Sequence, residues 1–186
     1  LALALSSQAA LIQFDLSPAG TSPAIGLSPA NEVPAVTNST GSGNEISGGI
    51  VFDTDTSILT FAIGYGSAAG FTDLTGIATD MHIHGPAPVG TTAPVLISLV
   101  PYHIAATNPA KGGTIIGTVA YQTNQVANLL AGSNYVNIHT VLNQAGEIRG
   151  QLVQALAANG PPLVSCPQPA TVECGGPTEM TAQVSD

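Results

Sequence analysis

Ser57-Ile58-Leu59-Thr60-Phe61-Ala62-Ile63-Gly64-Tyr65 is the stretch that decides the fold. Leu59, Phe61, Ile63 and Tyr65 alternate with Thr60, Ala62 and Gly64, the two-residue period of a strand that buries one face. The segment GIVFD (49–53) reads as its partner across a turn at 53–56, where Asp53 and Asp55 are placed to cap the backbone. Working outward, further strands are expected at 11–16, 77–84, 94–100, 113–121, 134–140 and 146–154. Between two of these, TNQVANLLAG (123–132) reads as a single short helix, with Thr123 as its cap and Val126, Leu129 and Leu130 as its apolar face. Many short strands separated by turn signals predict an all-β protein: an antiparallel, Greek-key-like β-sandwich or barrel with one short helix.

Composition agrees with that class. Of 186 residues 44% are hydrophobic, enough for a core, but only 7% are charged, against about 25% in ordinary soluble domains. Thr, Ser, Asn and Gln must therefore cover the solvent side. The net charge of −9, with Lys111 and Arg149 as the two cationic side chains, argues against nucleic acid as a partner and against an electropositive membrane-binding patch. No apolar run reaches the roughly 18 residues needed to cross a bilayer. Residues 1–10 (LALALSSQAA) read as the end of a secretory signal, with Ser-Gln-Ala resembling a small-x-small cleavage site, so the protein is expected to be secreted or held at a cell surface. The main domain is expected over 11–156, a Pro/Gly linker over 157–162, and the start of a second β module over 163–186. Both cysteines, Cys166 and Cys174, fall in that last segment. They can bridge each other in an oxidising compartment or pair beyond residue 186.

The residues that carry chemistry are histidines. In Met81-His82-Ile83-His84-Gly85-Pro86, strand alternation puts Met81 and Ile83 on one face and both imidazoles on the other. The two rings lie about 7 Å apart along the strand, close enough to hold one ion between them. In Tyr135-Val136-Asn137-Ile138-His139-Thr140 the apolar residues face one way, and Asn137 and His139 the other. In Glu147-Ile148-Arg149-Gly150-Gln151-Leu152, Ile148 and Leu152 face the core. If these strands form a hairpin, His139 shares a face with Glu147 and Arg149, the only arginine. His103, in a loop-like stretch, is a candidate fourth ligand. Three or four imidazoles without thiolate suit copper, with zinc as the alternative. Ligands at about 2 Å put the coordinating nitrogens within about 4 Å of one another. Arg149 would attract a small anion such as superoxide, and Glu147 would orient Arg149 or a ligand ring. No nucleophile elbow, Ser-His-Asp constellation or close carboxylate pair supports hydrolysis.

The order LSPANEVPAV (27–36), TDMHIHGPAPVG (79–90) and LLAGSNYVNIHTVLNQAGEIRGQL (129–152) resembles the CHRD domain, over about residues 11–156. The stretch FTDLTGIATDMHIHGPA is similar to a version found in exported bacterial proteins, and PPLVSCPQPATVEC resembles the start of a HYR-type immunoglobulin-like repeat. The first resemblance implies an extracellular β-sandwich. More distantly, the order His82, His84, His139, Arg149 is similar to that of copper superoxide dismutases, whose zinc-loop ligands and disulfide cysteines have no match here. That likeness implies at most a copper-only site, with superoxide dismutase-like activity. The competing expectation is a non-catalytic module that binds other surface or matrix proteins.

Overall fold

The computed structural model describes residues 10–155. Apart from Ala10 of the expected signal remnant, that remnant and the expected linker, second β module and cysteines lie outside the described residues.

Nine strands form one antiparallel sheet that curls into a half-barrel: β1 (Leu11–Leu16), β2 (Gly43–Asp53), β3 (Ile58–Tyr65), β4 (Ala78–His84), β5 (Val95–Ser98), β6 (His103–Ala105), β7 (Gly113–Ala120), β8 (Asn134–Thr140) and β9 (Ile148–Gln154). Their order is β5-β4-β8-β9-β1-β2-β3-β7-β6. β1 is the central strand, pairing on one side with β9 and on the other with β2. The short helix α1 (Val126–Leu130) enters β8 and buries Leu129. The expected all-β, antiparallel architecture is the observed one.

The two-residue period accounts for the core. In β3, Leu59, Phe61, Ile63 and Tyr65 are all buried, and β4 and β8 bury Met81, Ile83, Val136 and Ile138 on the same side of the sheet. Phe14, Leu16, Ile50, Phe52, Ile148 and Leu152 complete the layer, while Leu27, Leu74, Leu99 and Leu129 close it from loops and helix. The β1–β9–β8–β4 half and the β2–β3–β7 half thus share one apolar interior.

Local deviations have local causes. β2 is longer than the expected 49–53 because it runs through a bulge, where pairing with β3 shifts between Glu45 and Ile50. Gly48 (φ +104°) and Gly49 (φ +63°) occupy it, in a backbone region that side chains disfavour. Thr123 does not cap α1 by a side-chain bond; it opens a 3₁₀ turn, Thr123–Gln125, that leads into the helix. The turn after β2 is as expected, with Asp53 Oδ1 accepting from the amides of Asp55 and Thr56. His103 begins the three-residue strand β6 instead of lying in a loop.

Ile138 is fully buried between β4 and β9, whereas Ile116 on β7 is 48% exposed. Ile138→Ala is expected to cost about 2–5 kcal/mol through lost burial and a residual cavity, and Ile116→Ala about 0.5 kcal/mol or less. Urea denaturation of both variants checks this; equal losses would contradict the placement of the core.

Candidate metal centre

β4 and β8 are adjacent, and their register decides the site. Ile83 pairs with Val136 and Met81 with Ile138 on the core side. The opposite face therefore carries His84 beside Tyr135, His82 beside Asn137 and Asp80 beside His139. β9 continues that face, with Gln151 beside Tyr135 and Arg149 beside Asn137. Strand parity thus brings His82, His84 and His139 together on a face whose far side is the apolar core.

Three imidazoles converge. One nitrogen from each of His82, His84 and His139 lies within 4.8 Å of the other two, and His82 Nδ1 is 3.2 Å from His139 Nε2. Two nitrogens bound to one tetrahedral ion lie ~3.3 Å apart, so this pair already has ligand spacing. The three atoms together span up to 4.8 Å, wider than the about 4 Å expected of ligands to one ion.

The nitrogens that point away from the centre are all fixed. His84 Nδ1 donates to the Ala93 carbonyl at 3.0 Å, and His139 Nδ1 to the Gln144 carbonyl at 2.9 Å. His82 Nε2 lies 2.9 Å from Asp80 Oδ1. Asp80 is itself held by the Met81 amide. A carbonyl or carboxylate oxygen requires the ring nitrogen to be the donor, so these bonds fix each tautomer. The lone pairs of His82 Nδ1, His84 Nε2 and His139 Nε2 are left facing inward. His84 Nε2 is buried with no hydrogen-bond partner, which is costly for a polar atom unless something else satisfies it. Outer-nitrogen bonding of this kind is what metal-ligating histidines show.

Burial holds the His82 and His84 pKa values below the ordinary imidazole value, the Asp80 carboxylate opposing this at His82 and the Ala93 carbonyl opposing it at His84. Neighbouring imidazoles push in the same direction as burial. Both rings therefore favour the neutral form that coordinates metal.

Other expected site residues are placed differently. His103 is not in the group; its Nε2 is 2.8 Å from Tyr65 Oη, and its ring stacks on Tyr65, at the opposite edge of the sheet. Arg149 is on the histidine face as expected but only 2% exposed. Its Nη1 donates to the Thr91 carbonyl, its Nη2 to Gln151 Oε1, and its guanidinium lies 3.5 Å over the Tyr135 ring. An arginine so enclosed does not present its charge to an incoming anion, so the steering role expected for it is not available in this conformation. Glu147 touches neither Arg149 nor an imidazole. Its oxygens accept from Ser39, Thr75, Thr140 and Asn143. Burial pushes Glu147 up, but those hydrogen bonds outweigh it and hold the group below the usual carboxylate value. Its effect is to brace the 140–146 loop, which delivers the Gln144 carbonyl to His139.

Sequence reasoning passed over Asp80 and Tyr135. Both follow from the same parity, two residues before His82 and four before His139. Tyr135 stacks parallel to His84, with centroids 4.9 Å apart and planes 2° apart. β8 lies between β4 and β9, so Tyr135 separates His84 from Arg149. The 85–94 loop folds over this stack and supplies the Ala93 and Thr91 carbonyls.

Residues 24–152 match the family model of the CHRD domain. The chain belongs to the CHRD family. No curated protein and no solved structure matches it. In this CHRD domain His82 and His84 come from the segment 79–90 and His139 from the segment 129–152.

Metal binding to this site is expected to weaken toward acid pH, where protons compete for the inward lone pairs of His82 and His84. Because burial lowers the His82 and His84 values, their share of that competition should be over by about pH 7, and any further rise belongs to other groups. Zinc titrations followed by calorimetry from pH 5.5 to 8 check this, and an affinity rising toward acid would contradict it.

Proposed function

We propose that this CHRD domain binds a transition-metal ion, copper, through His82, His84 and His139. The observation that carries the reading is the pairing of three converging imidazole nitrogens with three outer nitrogens already fixed to oxygen acceptors. A neutral three-imidazole donor set without thiolate suits copper, with zinc as the alternative. Nothing has to fold for the ligands to meet, because Ala93, Gln144 and Asp80 orient the rings beforehand.

Bound copper would supply one-electron redox chemistry, and superoxide dismutation is the activity to test. His82 and His139 are only half-buried, so a small molecule can reach the centre from their side. The domain's own residues hold and orient the ligands there. Arg149 braces Tyr135 against His84, and Asp80 fixes His82. The buried position of Arg149 and the carboxylate at the rim favour metal holding over rapid turnover of an anion. That supports the second reading, a non-catalytic metal-binding module of an exported surface protein, in which contacts with other surface or matrix proteins are the working role. The resemblance of residues 1–10 to a secretory signal supports export.

The purified domain is expected to take up about one equivalent of copper. His84→Ala with His139→Ala should lose it, with affinity down at least about a hundredfold, since two of three ligands are gone. Arg149→Lys should still bind. Metal analysis and copper electron paramagnetic resonance read the outcome. Equal copper in wild type and the double variant would sink the site, and a loaded domain without dismutase activity would leave binding alone.

A further inference from the structure

The segment LSPANEVPAV (27–36) has no part in the three-histidine centre, yet it places a carboxyl group against the same face. Ser28 caps a 3₁₀ turn, Pro29–Asn31, and its backbone bridges to Arg149 on β9. The Asn31 amide donates to the carbonyls of Ala24, Gly26 and Arg149, pinning the turn to the sheet. The next residue, Glu32, is thereby delivered to Asn137, the β8 residue that pairs with both His82 and Arg149.

Glu32 and Asn137 are both over nine-tenths buried. Asn137 Nδ2 donates to Glu32 Oε2 at 3.2 Å. The two remaining oxygens, Glu32 Oε1 and Asn137 Oδ1, are buried with no hydrogen-bond partner. Each lies 2.7 Å from the point that a Cβ on Gly146 would occupy, so they share one small space that Gly146 leaves open. Two adjacent orphaned acceptors are an unfavourable arrangement that one proton resolves. If Oε1 carries it, Oε1–H donates to Asn137 Oδ1 while Asn137 Nδ2 donates to Oε2, and both orphans are satisfied by a cyclic acid–amide pair.

We propose that Glu32 is held as a neutral carboxylic acid paired with Asn137, and that loss of its proton adds a negative charge on the histidine face and so strengthens metal binding there. The pairing stands on the geometry alone; its coupling to metal rests on the reading of the three-histidine centre.

The charged group facing Glu32 is Arg149 from β9. From β8 it meets Asn137, with His139 two residues further on, and β4 presents His82 across Asn137. The 141–147 loop brings Asn143, Gln144 and Glu147, the last already committed to Ser39, Thr75, Thr140 and Asn143. No ion pair forms between Glu32 and Arg149, whose donors go to Thr91 and Gln151. Burial pushes the Glu32 carboxyl up to about 7, against the Arg149 charge, the Asn137 hydrogen bond and the Val33 backbone amide. Glu32 also forms part of the wall of a cleft of about 330 Å³, with Val36, Leu142 and Gln144, through which its proton can exchange with solvent.

The folded state holds this proton more tightly than the unfolded chain, where the value is 4.5. The pair's contribution to stability is thus complete below about pH 4.5 and is lost as pH rises through about 7. Glu32→Gln keeps the shape and both hydrogen bonds but cannot ionise. With chelator present, the urea midpoint of the wild type should fall relative to Glu32→Gln, by on the order of 1 M between pH 5 and 8. The histidine contributions are common to both proteins and cancel. In ¹³C-glutamate-labelled wild type, one carboxyl should titrate near neutrality, and its protonated-acid infrared band should be absent from Glu32→Gln. A Glu32 carboxyl titrating in the ordinary range, measured on the wild type with no variant needed, overturns the pair. Zinc affinity should rise several-fold more steeply from pH 6 to 8 in the wild type than in the variant, and parallel curves overturn the coupling. Zinc uptake by neither protein would defeat the metal reading, while the carboxyl titration still decides the pair.

Discussion

The antiparallel ladder between β4 and β8 is the constraint on which the rest depends. Burying Met81 and Ile83 against Val136 and Ile138 satisfies the core, and the same register leaves His82, His84 and His139 no choice of face. A slip of one residue would turn every imidazole into the apolar interior and every aliphatic side chain out. The hydrophobic effect therefore positions the histidines without any interaction of their own having to do so.

The polar face is not left open to water. Arg149, Gln151, Asn137 and Glu147 are nearly inaccessible, and each is a liability unless its hydrogen-bonding groups are met. The 85–94 loop answers for Arg149 and Gln151 with the carbonyls of Thr91 and Ala87. Ser39, Thr75, Thr140 and Asn143 answer for Glu147. These loops also carry the Ala93 and Gln144 carbonyls that fix two imidazoles, so covering the buried polar groups and orienting the ligands are one arrangement. Of the six buried side-chain atoms without a partner among the described residues, three lie on this face: His84 Nε2 at the histidine centre, and Glu32 Oε1 with Asn137 Oδ1 beside it.

Much of this was legible in the sequence because a strand's period is local. Alternation in 57–65 and 134–140 identified core positions, and parity alone placed His139 with Arg149. What parity could not show was that β4 neighbours β8, a pairing across more than fifty residues that brings the two histidine groups together. Nor could it show that Arg149 is roofed by a loop, since the Thr91 carbonyl that binds it has no side-chain signature. His103 was misplaced for the same reason: its partner, Tyr65, is 38 positions away. Glu32 gave no periodic signal at all, sitting in an irregular segment whose course depends on backbone bonds to β9.

The sheet's order has a consequence for how molecules of this protein meet. Its two outermost strands, β5 and β6, have four and three residues, the shortest of the nine. An unpaired strand edge is a template on which another chain can add, and its reach grows with length. By ending the sheet on two stubs, the fold offers little backbone for edge-to-edge growth. That limit on fibrous association acts alongside the mutual repulsion of copies that each carry a net charge of −9.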